Sequence, residues 1–193
     1  MSGVDLAHLQ GLYAQTGDPW HFRTSGYEQA RFDATRAALA RDSYRAILEL
    51  GCGNGELARR LSPLAGRYVG LDAVDRAVTE ARAVVPRGEF HRAWLPGPLP
   101  AGRFDLIVVS EVLYFLDRAG ITALANQIAC TWPGAEILSV NYLGPSGNAL
   151  QGGEAADIFA RCLAPRFAVT LSRATRHYRI DRFQPLHSGD TAA

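Results

Sequence analysis

The stretch Glu49-Leu50-Gly51-Cys52-Gly53-Asn54-Gly55 combines residue types that can hold a nucleotide. A carboxylate stands two residues ahead of three glycines at alternate positions. Glycines accept positive φ and let a backbone approach a ligand closely. A Gly-rich turn between strand and helix is a nucleotide site, with the ligand against the helix start. The spacing is not that of a dinucleotide fingerprint, because Glu56 stands where the third glycine of G-x-G-x-x-G would be. That disfavours an NAD-dependent reductase. Asp72 follows at the distance where such sites carry an acid for the ribose. A carboxylate suits that task because it accepts from two vicinal hydroxyls, and Ala73 adjoins it. Asp72 can also cap the helix behind it, which is compatible with ribose binding. Further on, Ser110, Glu111 and Tyr114 offer a hydroxyl, a carboxylate and a phenol close together.

The surrounding elements must bring these groups to one place. Ile47, Leu48 and Leu50 form an apolar run that reads as a buried strand, and Glu56 to Leu61 reads as the helix after the turn. Arg67 to Asp72 reads as a second strand ending in the acid, and Ala73 to Val84 as a helix. Glu89 to Ala93 reads as a short third strand. Trp94 to Pro100 holds three prolines and a glycine, so a stiff loop replaces the next helix. Trp94 opens that loop, where its ring can lie against an adenine or cover the sheet edge. Phe104 to Ser110 is apolar on both faces, as a central parallel strand is. Open α/β sheets bind ligands at the carboxyl ends of their strands, which is where Ser110 and Glu111 fall. A helix over 118–131, a strand over 135–142, a helix over 154–163 and a hairpin of 167–172 with 175–183 complete the pattern.

Ahead of the first strand, residues 1–43 read as two helices joined by an aromatic turn. Leu6, Leu9 and Leu12 give the first its apolar spacing. Gly17-Asp18-Pro19 signals a turn and delivers Trp20, His21, Phe22 and Arg23. Ser25 with Glu28 forms a capping box for a helix over 26–40. Tyr27 and Arg31 lie one turn apart on it and share a face. The segment is expected to be a lid over the glycine turn, with Trp20 either facing the ligand or serving as a core aromatic. The fold class is thus α/β, Rossmann-like, in one domain over 1–183, with a small polar tail over 184–193 expected to be disordered.

Composition narrows the function. A chain of 193 residues that is 48% hydrophobic can bury a core. A net charge of +1 points to neither nucleic acid nor a membrane surface. No apolar run spans a bilayer and Met1 to Gln10 has no signal-peptide pattern. Cys52, Cys130 and Cys162 are odd in number and widely spaced, so neither a metal site nor a disulfide framework is expected. The expectation is a cytoplasmic protein, monomeric or weakly dimeric, that acts on a small molecule.

Glu49-x-Gly51-x-Gly53-x-Gly55 after a strand resembles motif I of the class I S-adenosylmethionine (SAM) methyltransferases. Asp18-Pro19-Trp20, Ser25-x-Tyr27-Glu28, Arg31 and the stretch from Phe104 to Tyr114 resemble the NodS family, from about Asp18 to about Phe183. Its members are nodulation methyltransferases that N-methylate the amino sugar of a chitooligosaccharide. The resemblance implies a seven-stranded sheet with the last strand antiparallel. It also implies SAM as cofactor, and an acceptor bearing an amine, most naturally an amino sugar. O-methylation of a small natural product and a non-catalytic SAM-binding module are the alternatives. The chain departs from the family at Pro96 to Pro100 and just before the hairpin. For such a reaction the cofactor-binding set is Trp20, Tyr27, Arg31, Glu49, Gly51, Cys52, Gly53, Gly55, Asp72, Ala73, Trp94, Ser110 and Glu111, with Arg31 taking a carboxylate. An amine arrives as ammonium and must lose its proton. Glu111 is the first candidate to take it, followed by Tyr114, His21 and His91. Glu111 can equally be a helix-start acid favoured by the macrodipole.

Overall fold

The computed structural model describes residues 6–186, and of the helix at its start the side chains of 6–9 and 12 are excluded. The spacing of Leu6, Leu9 and Leu12 and most of the tail therefore lie outside the described residues. The elements are α1 (Leu6–Gln15), α2 (Gly26–Ala37), β1 (Tyr44–Leu50), α3 (Glu56–Leu61), β2 (Ala65–Asp72), α4 (Asp75–Val84) and β3 (Glu89–Arg92). They continue with β4 (Leu106–Ser110), α5 (Arg118–Thr131), β5 (Glu136–Tyr142), α6 (Gly152–Leu163), β6 (Phe167–Ala174) and β7 (Tyr178–Pro185).

All seven strands form one sheet in the order β3-β2-β1-β4-β5-β7-β6. β1 pairs in parallel with β2 on one side and with β4 on the other. The strand order reverses between them, and in such sheets the ligand crevice opens at that reversal, beyond the carboxyl ends. β5 pairs antiparallel with β7, which in turn pairs antiparallel with β6.

The continuous apolar runs of β1 and β4 are explained by burial on both faces. On one face Leu48, Leu50, Ile107, Val109 and Ile137 pack with Ile121, Leu124 and Ile128 of α5 and Phe159 of α6. On the other, Ile47, Leu106, Val108, Leu138 and Val140 pack with Phe32 of α2, Leu57 and Leu61 of α3 and Val78 of α4. Residues 93–105, with their prolines, form no helix or strand; this agrees with the loop expected over 94–100, while Ala93, Phe104 and Asp105 fall outside the strands expected to hold them.

Several boundaries differ from the sequence reading, each for a long-range reason. α2 stops at Ala37, not Ala40. Beyond it the Ala40 N–H donates to Glu136 Oε1 at 3.0 Å, and the Tyr44 hydroxyl donates to Glu136 Oε2 at 3.0 Å. These bonds draw the chain off the helix. β4 starts at Leu106 rather than Phe104. The Asp105 carboxylate accepts instead from the Arg45 and Ala46 N–H groups, at 3.1 and 2.9 Å. β7 runs on to Pro185, where Gln184 and Pro185 pair with Ala168 and Phe167. Those two residues belong to the sheet, not to a loose tail.

Candidate functional site

Beyond the carboxyl ends of β1 and β4 lies a cavity of about 480 Å³, within the usual range for small-ligand sites. Its walls come from every part of the chain expected to contribute. Trp20, Tyr27 and Arg31 enter from the N-terminal segment and Gly51 and Gly53 from the turn. Asp72 and Ala73 come from the end of β2, Trp94 from the proline loop, and Ser110, Glu111 and Tyr114 from the end of β4.

Five of the expected residues do not line this cavity. Glu49 is fully buried, its Oε2 accepting from the Tyr68 hydroxyl at 2.7 Å. Burial pushes its carboxyl up to about 8. Cys52 is buried in the helix-side core, and burial raises its thiol as well. Gly55 caps α3 at φ 85°, where a Cβ would meet Ala81 Cα of α4 at 2.8 Å. His21 is exposed at φ 57°, with its carbonyl accepting from the N–H groups of Thr24 and Ser25. His91 is exposed in β3.

The glycines have different reasons to be glycine. A Cβ on Gly51 would fall 2.2 Å from Val112 Cγ1 and 2.3 Å from the Ser110 carbonyl oxygen, so that position packs against the end of β4. A Cβ on Gly53 would lie 3.5 Å from the Phe22 ring and the Tyr13 hydroxyl, an ordinary contact at the cavity wall. The turn is latched to β2, because the Gly53 N–H donates to Asp72 Oδ2 at 2.9 Å. Asp72 Oδ1 accepts from the Val74 N–H at 3.0 Å. Burial raises the Asp72 carboxyl, opposed by these backbone N–H groups. Each oxygen keeps a lone pair for a ligand hydroxyl.

At the other end, Arg31 is buried and organises two carboxylates. Its Nε donates to Glu28 Oε2 at 2.9 Å and its Nη2 donates to the same oxygen. Its Nη1 donates to Glu111 Oε1 at 2.6 Å. Those contacts use three of the five guanidinium N–H bonds, leaving two for a ligand. Glu111 sits at φ 57° directly after β4. Its Oε2 accepts from the Tyr114 hydroxyl at 2.7 Å and the Tyr142 N–H at 2.7 Å. One carboxylate thus joins α2 to the ends of β4 and β5. Burial raises its pKa, opposed by Arg31, the Tyr114 hydroxyl and the Tyr142 N–H.

The sequence reading missed Tyr13, Glu28 and Tyr142 as cavity residues. Glu28 was visible as a capping-box acid, but its second task depends on Arg31. Tyr13 and Tyr142 carry no sequence signal of their own.

The cavity fits a nucleoside bearing a cationic tail. Gly53 leaves room at the turn, Asp72 offers acceptors for a ribose, and the 47% exposed Trp94 offers a ring face. Among the described residues no group of three or more His, Cys, Asp or Glu side chains comes together as a metal cage. No described helix is long and apolar enough to cross a membrane.

The comparisons with known proteins point the same way. The profile of the family described as Nodulation protein S (NodS) matches residues 8–131. Nodulation protein S of Sinorhizobium fredii is 30% identical over 158 residues, covering 79% of this chain and 68% of that protein. Its counterpart in Bradyrhizobium diazoefficiens is 35% identical over 122 residues, 58% of each chain. A Pseudomonas syringae structure, solved as a candidate methyltransferase, is similar with a TM-score of 0.72 and 32% identity. The match covers 83% of this chain and 99% of that one. The N-methyltransferase NodS from Bradyrhizobium japonicum WM9, solved with S-adenosylhomocysteine (SAH), shares the fold with a TM-score of 0.81. At 19% identity, that match covers 95% of this chain and all of that one.

Proposed function

The chain belongs to the NodS family of SAM-dependent methyltransferases, and from that premise we propose that it methylates a primary amine, borne by an amino sugar or a similarly small polar metabolite. The observation that carries the amine reading is the charge of the cavity wall. Glu28, Asp72 and Glu111 stand there against the single cation Arg31. Such a wall favours a cationic sulfonium and an ammonium acceptor over an acidic one.

SAM, when bound, supplies an electrophilic methyl group on a sulfonium that passes to the lone pair of a nucleophile. The task of this chain is to hold, orient and exclude water. Asp72 binds the ribose hydroxyls while keeping the glycine turn in place through Gly53. Trp94 covers the base. Arg31, with its two spare N–H bonds, takes the carboxylate of the methionine end. Trp20, half-exposed and stacked on Phe22 with ring centroids 5.5 Å apart, shields the opening.

An ammonium acceptor must lose a proton before it can attack. Glu111 is the residue that takes it. Its Oε1 accepts only from Arg31 and keeps a lone pair, and burial shifts its pKa upward, the direction a base working near neutrality needs. Tyr114 steadies the other oxygen.

The test is a panel of amino sugars, phenols and carboxylic acids incubated with the protein and methyl-labelled SAM. Label should pass to amines, with a rate that rises with pH as the ammonium deprotonates. Transfer to phenols or carboxylates alone would overturn the amine reading in favour of O-methylation.

A further inference from the structure

Four charged side chains line the cavity, and three of them have both ends occupied. Each oxygen of Asp72 accepts from a backbone N–H. Glu111 accepts from Arg31, Tyr114 and Tyr142, and Arg31 donates to Glu28 and Glu111. Glu28 is different. Both Arg31 contacts go to its Oε2. Its Oε1 has no donor among the described residues, although the side chain is only 14% exposed. That oxygen opens onto the cavity and is free to accept from a ligand.

The neighbouring residue carries a second unmet demand. The Tyr27 hydroxyl is buried and has no hydrogen-bond partner among the described residues. Burial pushes its pKa up to about 12, so it is a neutral phenol with one donor and free acceptor capacity. Both side chains are fixed in place. The Glu28 carboxylate is held by Arg31, whose Nε donates to Oε2 at 2.9 Å. The Tyr27 ring packs edge-on against His177, with centroids 5.5 Å apart, and lies 6.2 Å from the Tyr178 ring. Both residues face the same cavity.

We infer that Glu28 Oε1 and the Tyr27 hydroxyl together form a subsite for a primary ammonium group. An ammonium presents three N–H donors and a positive charge. One N–H can satisfy the free carboxylate oxygen with charge assistance, and a second can satisfy the phenol oxygen. A neutral alcohol could donate to the carboxylate and accept from the phenol, but it brings no charge to Glu28, so the charge is what selects an ammonium. Two ammonium groups take part in the proposed reaction: the α-ammonium at the methionine end of the donor, and the amine of the acceptor. The second source rests on the function proposed above, whereas the first does not.

Three ligands and two variants separate the sources. Glu28→Gln keeps an oxygen for Arg31 but removes the charge, and Tyr27→Phe removes only the hydroxyl. Calorimetric titrations would use SAH, which has the ammonium, and 5′-methylthioadenosine, which lacks the amino-acid end. Glucosamine would then be titrated into protein saturated with SAH. If the donor ammonium sits there, both variants weaken SAH by about tenfold or more and leave methylthioadenosine unchanged. If the acceptor amine sits there, SAH affinity holds within about twofold and glucosamine binding weakens by about tenfold or more. The inference is overturned if both variants keep SAH and glucosamine within about twofold, or if methylthioadenosine weakens as much as SAH. Should the wild-type protein methylate no amine, the function proposed above fails, yet the SAH and methylthioadenosine titrations still decide the subsite.

Discussion

Single residues carry separate duties here that their spacing makes look alike. Gly51, Gly53 and Gly55 read as one motif, but only at Gly53 would a Cβ meet nothing closer than 3.5 Å. A Cβ on Gly51 meets Val112 and Ser110, and a Cβ on Gly55 meets Ala81. Gly53→Val should therefore abolish SAM binding and, because Gly53 sits at φ 50°, cost about 1–2 kcal/mol of backbone strain. Gly51→Ala should cost more, because overpacking of about 1–3 kcal/mol adds to the same kind of strain at φ 86°. Calorimetry and denaturant titration on the two variants check this, and equal effects of the two on stability would refute the division. Glu49 shows what the motif alone cannot say. It reads as a cofactor residue, yet it is fully buried inside β1, and its Oε1 has no partner among the described residues. The groups facing it are Tyr68 and Asp72 of β2, Cys52 of the turn and Arg31 of α2. Its carboxyl rises from 4.5 in the open chain to about 8 in the fold. The folded state then holds a proton that the unfolded chain gives up. The associated stability is complete below about pH 4.5 and is lost as pH rises through about 8, a swing of a few kcal/mol. Urea titrations should show Glu49→Gln gaining on wild type between pH 5 and pH 8.5. A constant difference across that range would remove Glu49 from the linkage.

At the scale of elements, the N-terminal segment is held by a few polar ties over the glycine turn. Asp18 Oδ1 accepts from the Phe22 N–H at 2.7 Å and from Asn54 Nδ2 at 3.0 Å, and its Oδ2 accepts from the Arg23 N–H at 3.0 Å. Arg76 Nη1 donates to the Tyr13 carbonyl at 2.7 Å, and Arg23 pairs with Glu80 at 2.6 Å. Arg31 adds the buried tie to Glu111. Phe32 of α2 anchors the segment in the core, but most of these polar contacts are partly solvated and individually weak, so we propose that the part around residues 18–27 opens locally. Hydrogen exchange should slow over residues 18–27 when SAM is added, and Asp18→Ala should raise exchange there without ligand. Unchanged exchange in both cases would mean that the segment is a fixed wall. The start of α2 is legible because Ser25 and Glu28 act within one turn. Its end is not, because the force that ends it comes from Glu136, far along the chain. The same holds for β4, whose first pairing is displaced by the Asp105 carboxylate bonding to β1. Local chemistry sets where elements begin, and distant partners decide where several of them stop.

At the scale of the whole molecule, the cavity exists only because the sheet reverses its order between β1 and β4. The alternation of strands and helices with a closing hairpin predicts an α/β sheet. The position of β7 between β5 and β6 follows from pairing that no local pattern encodes. The cavity draws its walls from α2, the glycine turn, the ends of β2, β4 and β5 and the proline loop, so a ligand there ties together elements from both halves of the sheet. Binding to the folded state alone must then stabilise the whole domain. SAM at about a hundred times its Kd contributes about 2.7 kcal/mol. For a domain of this size that corresponds to a rise in Tm of about 5–10 °C. NAD should give no such shift, since Glu56 replaces the third fingerprint glycine and α3 packs its start against α4 at Gly55. A thermal-shift titration with SAM, SAH and NAD reads this directly. An equal rise with NAD, or none with SAM, would detach the cavity from the cofactor that this chain's family uses.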